Sequence, residues 1–317
     1  MTTLLRKSLI KAEQPFSAVR TIDRIFWGLT AASATALALI LVAITAELVN
    51  IAIPAMQAFG FKFLLASQWN PVENTYGILP QIYGTLVSSA IALILAVPLG
   101  IGVAIFLSEN FLPNIILIPT AFLIELLAAI PSVVYGLWGI FVFIPATVPF
   151  FEGVHHLLGW LPLFGSEPTT RAMLPTGIVL AIMILPTIVA ISRDTLLSVP
   201  PQLRQGAMAL GATRWEAILG VILPSGLSGI VGSIMLALGR ALGETMATAM
   251  LIGNANRISV SLFEPASTIA SLIANQFSEA SGLQVSSLLY AGLVLMVLTL
   301  LVNIVAEVII SRFQQVE

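Results

Sequence analysis

The chain of 317 residues has no cysteine, only two histidines, three lysines (Lys7, Lys11 and Lys62), and charged residues at 9% of its length. Each shortage closes a class of function. Without cysteine there are no disulfides, thiolate metal sites or cysteine nucleophiles, although the redox compartment stays undetermined. His155 and His156 are adjacent, with no H-x-x-x-H pattern to build a metal site, and read as an interfacial polar pair. No lysine stands in a G-x-x-x-x-G-K-[ST] phosphate loop, so the chain has no recognisable ATP site of that type; if it is powered, the power comes from a partner that uses ATP, and no cofactor is expected in the chain itself. A net charge of -2 offers no basic surface for nucleic acid. Soluble domains carry about 25% charged residues, so a soluble reading fails. Gly226-Leu227-Ser228-Gly229 fits the GxSG pattern of intramembrane serine proteases. No histidine base accompanies it, which sets that reading aside.

What is present is apolar residues, 58% of the chain, at a mean hydropathy of +1.03. A spanning helix needs about 20 of them in a row. Six runs qualify: Ile25–Ile53, Ile82–Leu107, Ile115–Phe143, Met173–Ile191, Leu227–Ile252 and Leu288–Ile310. An all-α polytopic membrane protein of about six transmembrane helices follows. Basic residues orient it. With the N-terminus inside, one side receives Arg6, Lys7, Lys11, Arg20, Arg24, Arg193, Arg204, Arg214 and Arg312, and the other only Lys62, Arg171 and Arg257. The expected organisation is a cytoplasmic segment 1–24, a first span 25–53, a periplasmic loop 54–81, a core domain 82–313 and a cytoplasmic tail 314–317. Within the core, residues 192–224 form a cytoplasmic segment that carries charge and still reads as helix. The stretch 145–171 is too interrupted by Pro and Gly to span and reads as interfacial.

Three charges fall well inside the spans. Arg240 and Glu244 are four apart, which on a continuous helix places them on one face. A charge at the centre of a spanning helix costs about 2.5–3.5 kcal/mol. The functional reading is a cation lining an anion route, with Glu244 balancing it when the route is empty; the structural reading is an ion pair that locks helices. Glu125 carries the same two readings without an evident partner. Glu47 and Glu307 lie near span ends, where the side chain reaches the interface. Small residues recur every fourth position from Ser225 through Gly229, Ser233, Ala237, Ala241 and Thr245 to Ala249, with Gly239 and Gly243 adding a GxxxG. Such a stripe lets helix backbones approach closely in lipid.

Gln205-Gly206-Ala207, then Gly211, then Leu223-Pro224 resembles the signature E-A-A-x3-G-x9-I-x-L-P of ABC-transporter permeases, with Gln205, Gly206 and Val221 departing from it. The resemblance implies an ABC importer type I permease fold, in which this stretch, with Arg204, forms a coupling helix that docks on an ATPase subunit. WNP (Trp69–Pro71), YGILPQIYGTL (Tyr76–Leu86), ELLAAIPSVVYGLWG (Glu125–Gly139), LGATRWEAI (Leu210–Ile218) and GRALGETMA (Gly239–Ala247) are similar to the PstC-type permeases of phosphate importers. That likeness implies a multi-pass protein of the bacterial inner membrane whose partners are a PstA-like permease, two copies of an ATPase and a periplasmic phosphate-binding protein. It also implies that Arg240 and Glu244 match charged positions associated with phosphate passage. A permease for sulfate or molybdate, or a passive anion channel, are the competing readings, because one Arg does not tell tetrahedral anions apart.

Overall fold

The computed structural model describes residues 17–109, 111 and 113–314. The basic residues Arg6, Lys7 and Lys11 and the last three residues of the tail lie outside them. Two compact units are present, 1–51 and 52–317. The first is the leading part of helix α1 (Ser17–Phe59), with a mean hydropathy of 2.4 over its apolar window.

The second unit begins with a helical turn, Lys62–Leu65, and a two-residue antiparallel hairpin, β1 (Trp69–Asn70) with β2 (Thr75–Tyr76). Asn74 takes a positive φ of 50° in its turn, a conformation that asparagine tolerates better than most residues. Helix α2 (Leu79–Ser108) starts with Pro80, whose missing N–H is no loss in a first turn. Helix α3 (Asn114–Ala129) stops where Ile130, held extended, precedes Pro131. Helix α4 (Ser132–Leu158) follows at once. The single span expected at Ile115–Phe143 is therefore two helices. The stretch assigned to an interface continues as helix to Leu158, because Pro145 and Pro149 are absorbed rather than obeyed. A widened turn at Gly139–Phe143 directly precedes the Ile144-Pro145 step, relieving the clash of the proline ring with the preceding turn.

Helix α5 (Met173–Ser198) is the axis of the unit: 61% of its apolar window is buried, against 28% or less in the other long helices. α2 runs parallel to it, Ile91 meeting Gly177 and Gly100 meeting Ile188. A Cβ on Gly100 would fall 2.8 Å from the Ile188 side chain, so the close approach depends on that glycine. Their shared core holds Ala92, Ala96, Val179, Leu180, Met183, Ile184 and Ile188.

After α5 come α6 (Pro201–Ala209), α7 (Arg214–Ser225) and α8 (Leu227–Gly243), with a bend of 67° between α7 and α8. A second widened turn, Ile218–Ile222, precedes Leu223-Pro224 as the first precedes Pro145. α8 lies antiparallel to α5. Gly229 abuts Thr195, and Ser192 and Ser233 share a buried hydrogen bond of 2.9 Å. Gly229, Ser233, Ala237 and Ala241 are thus the part of the small-residue stripe that packs. Gly239 and Gly243 face open space, so of the two GxxxG partners expected, a helix of this chain or one of a second subunit, the first is not met among the described residues.

The fifth run does not stay helical to Ile252. Glu244 is extended, and a separate short helix, α9 (Met246–Leu251), follows it. Helix α10 (Ile269–Gln276), capped by Thr268, and helix α11 (Leu283–Gln314) complete the chain. Among the described residues five helices are long and apolar enough to cross a membrane, and the bent pair α7–α8 makes a sixth candidate. The hairpin end is tied together by polar bonds: Trp69 Nε1 donates to Gln276 Oε1 at 2.6 Å, Gln81 Nε2 to Asn256 Oδ1 at 3.0 Å, and Tyr83 Oη to the Ser259 carbonyl at 2.8 Å.

Candidate functional site: a helical lever and an arginine cleft

At the end of the bundle opposite the hairpin, α6 and α7 form a helix–turn–helix. Gly211, at φ +91°, makes the turn, and its own N–H donates to Met208 while Ala212 N–H donates to Ala207. Thr213 and Glu216 then cap α7 reciprocally, the Thr213 N–H and hydroxyl both donating to Glu216 Oε2 at 2.7 Å. Gln205, Gly206 and Gly211 are exposed, and Ala207, Leu223 and Pro224 are half-buried. Apolar side chains also face outward here: Leu203, Met208, Leu210 and Trp215. Leu210 is 92% exposed.

Ile218 and Ile222 of α7 pack in one core with Ala104 of α2, and an ion pair and a cation–π contact hold the segment to the residues just after α2. Arg204 Nη2 donates to Glu109 Oε1 at 2.5 Å, and Glu109 is buried. Arg214 lies over the Phe111 ring, 4.0 Å from its centroid, and Phe111 in turn touches Phe106 and Trp215. Arg204 is therefore engaged inside the chain. Sequence reasoning passed over Glu109 because it sits in a short turn 95 residues from its partner; a lone acid beside a cluster of inner-side arginines was the available signal.

Arg240, half-buried on the last turn of α8, donates from Nη1 to Thr187 Oγ1 on α5 at 3.4 Å. It opens on a cleft of 570 Å³ lined by Thr187, Met235, Leu236, Gly239, Arg240 and Asn303. The expected pairing with Glu244 is not formed. Glu244 lies beyond the end of α8, and its Oε1 instead accepts from Ala247 N at 3.2 Å, at the start of α9. The reason is the break itself: one extended residue removes the helical register that four-residue spacing presumed. Among the described residues no carboxylate lies within ion-pair distance of Arg240. Glu125 is exposed and belongs elsewhere, in a crevice of 20 Å³ shared with Val189, Ala190, Arg193 and Asp194. That space holds at most a single water. The structure does not bring Glu125 together with Arg240. Asn303, which it does bring to the cleft, drew no attention in the sequence, because an amide within an apolar run carries no motif.

A bundle of long apolar helices with a bent helix–turn–helix at one end and an arginine on an open cleft between helices has the form of a polytopic membrane subunit. Residues 96–315 match the family of binding-protein-dependent transport system inner membrane components. The phosphate transport system permease protein PstC of Haemophilus influenzae is 45% identical over 302 residues, covering 93% of this chain and 95% of that one. PstC of Mesorhizobium japonicum is 44% identical, covering 92% and 90%, and PstC 2 of Mycobacterium tuberculosis 37%, covering 90% and 91%. Two solved structures share the fold. A bacterial ABC transporter involved in the import of the acidic polysaccharide alginate has a TM-score of 0.59 at 17% identity, covering 93% of this chain and 99% of that chain. The MetNI methionine ABC transporter, in an inward-facing conformation, has a TM-score of 0.53 at 16% identity, covering 74% and 94%. The chain belongs to the binding-protein-dependent inner membrane permeases of ABC importers and, within them, to the PstC family.

Proposed function

We propose that this chain is a permease subunit of an ATP-driven phosphate importer in a bacterial inner membrane, with its N-terminus in the cytoplasm and no ATP site of its own. It forms an alternating-access pathway with a second, PstA-like permease. Two ATPase subunits bind on the cytoplasmic side, and a phosphate-binding protein delivers the ion from outside. The observation that carries this reading is the guanidinium of Arg240, which has no carboxylate partner among the described residues and lines an open cleft of a PstC-family chain.

The chemistry of the cleft suits the task. Phosphate entering a membrane protein needs a replacement for its hydration, and a guanidinium supplies permanent charge with a planar fork of donors. Among the described residues Arg240 has one long bond, to Thr187, and no carboxylate to displace, so an arriving anion meets a cation that is ready to pair. Glu244, engaged at the start of α9, fixes the point where the chain turns away one residue beyond α8. The lever end supplies the force. Leu203, Met208 and Leu210 form an apolar knob that an ATPase groove can cover. Closure of the ATPases shifts α6, the Glu109–Arg204 bond carries the shift to α2, and Pro224 with the 67° bend carries it to α8, where Arg240 stands.

ATP-dependent phosphate uptake into vesicles containing the assembled transporter tests this. Arg240→Gln is expected to reduce uptake at least 100-fold, about 3 kcal/mol of lost anion stabilisation, while the subunits still co-purify. Uptake at the normal rate would remove Arg240 from the pathway.

A further inference from the structure

The Arg240 cleft contains an acceptor as well as donors. Asn303 of α11 lines it with Thr187 and Arg240. The Asn303 carbonyl oxygen Oδ1 is buried and accepts no hydrogen bond among the described residues. A buried acceptor without a donor is destabilising until something donates to it. Thr187 has the opposite character. Its Oγ1 accepts from Arg240, which leaves the hydroxyl hydrogen available to donate. The cleft thus presents a fixed cation and a hydroxyl donor, with an unfilled acceptor buried in its wall. At about 30 Å³ per water, a cleft of 570 Å³ has room for a small oxyanion with part of its hydration.

Cation and donor together recognise any oxyanion. The acceptor is what discriminates. It calls for an anion that also carries a hydrogen, and phosphate near neutral pH keeps at least one P–OH group while bearing one to two negative charges. Sulfate and molybdate have no hydrogen to give. Against them the Asn303 carbonyl would set lone pair against lone pair, leaving a buried acceptor unpaired, the arrangement by which a polar site rejects a near-isostere lacking one hydrogen.

We propose that Asn303 is a specificity-determining residue of the permease: its carbonyl oxygen accepts the P–OH hydrogen of an oxyanion whose other oxygens are held by Arg240 and Thr187. The terminal torsion of an asparagine is broad, so a rotation of the amide turns Oδ1 from its buried position into the cleft without moving α11. This inference rests on the reading of Arg240 as the anion site, and it locates phosphate selectivity in the membrane as well as in any protein that delivers the ion.

The test is equilibrium binding of radiolabelled phosphate to the two-permease complex with its ATPases in nanodiscs, with the binding protein left out. Sulfate and monofluorophosphate compete, the latter a tetrahedral dianion in which fluorine replaces the P–OH. In the unaltered complex both competitors should bind at least ~10-fold more weakly than phosphate, the size of one hydrogen bond to a charged group. Asn303→Leu should weaken phosphate binding about 10-fold and leave sulfate within about 2-fold, so that the preference collapses. Asn303→Ser, small and still an acceptor, should retain part of the preference and guards against a packing effect of leucine. Monofluorophosphate binding as tightly as phosphate, or Asn303→Leu weakening phosphate and sulfate equally, would overturn the assignment while binding that still depends on Arg240 keeps the pathway reading intact. Binding unaltered by Arg240→Gln would remove both together.

Discussion

Arg240 shows how far a single residue can be read. Its charge within an apolar run makes it conspicuous in the sequence, since insertion alone costs about 2.5–3.5 kcal/mol. Its neighbours are another matter. Thr187 precedes it by 53 residues and Asn303 follows by 63, and only packing of α5, α8 and α11 puts them on one cleft. Gly211 is legible for a different reason. It stands at a fixed place in a signature, and the structure supplies the cause: φ of +91°, which side chains disfavour by about 1–2 kcal/mol. Space is not the constraint, because nothing lies within 4 Å of a Cβ built there. Gly211→Ala is therefore expected to loosen the α6–α7 turn without disturbing the bundle. Uptake should fall several-fold while the amount of chain in the membrane stays unchanged. Equal uptake by the alanine variant would show that the turn's conformation is not needed for coupling.

Among the elements, helix ends proved harder to foresee than helix interiors. Long apolar runs became α2 and α5 within a few residues of expectation. The misplaced boundaries sit at prolines and at Glu244. Pro131 splits a run that hydropathy joins, whereas Pro145 is carried through a helix on a widened turn. Hydropathy sums side chains and is blind to backbone bonds, so it cannot separate these outcomes. The Glu109–Arg204 pair belongs to this scale, because it joins α2 to α6. Glu109→Gln should lower the thermal stability of the chain by about 2 kcal/mol. That is below the about 3–5 kcal/mol of a fully buried pair, since Arg204 keeps some access to water. The exchange Glu109→Arg with Arg204→Glu should recover part of both stability and uptake. If Glu109→Gln matched the unaltered protein in uptake, the tether would have no part in transmitting movement.

For the whole molecule, the decisive feature is that its surface is unfinished. Leu203, Met208 and Leu210 protrude at the lever end, and apolar side chains such as Phe122, Phe141 and Leu300 face outward along the bundle. Lipid accounts for the long flanks but not for the lever, which lies beyond the apolar spans. A subunit built this way depends on others for its activity. Vesicles containing this chain alone should show no phosphate flux, with or without ATP, whereas the assembled complex should show ATP-dependent uptake. Flux through the isolated chain without ATP would mark it as a passive channel.

Membrane residence, the approximate number of crossings, the place of the α6–α7 turn and the presence of a charge at Arg240 within an apolar run are legible in composition and local spacing, because burial in lipid and the conformation at Gly211 act on residues one stretch at a time. The partners of Arg240, the redirection of Glu244 to α9, the separation of Glu125 from the cleft and the hold of Glu109 on Arg204 were decided only when the helices packed. Those contacts link positions tens of residues apart, and no periodicity within a single helix records which faces will meet.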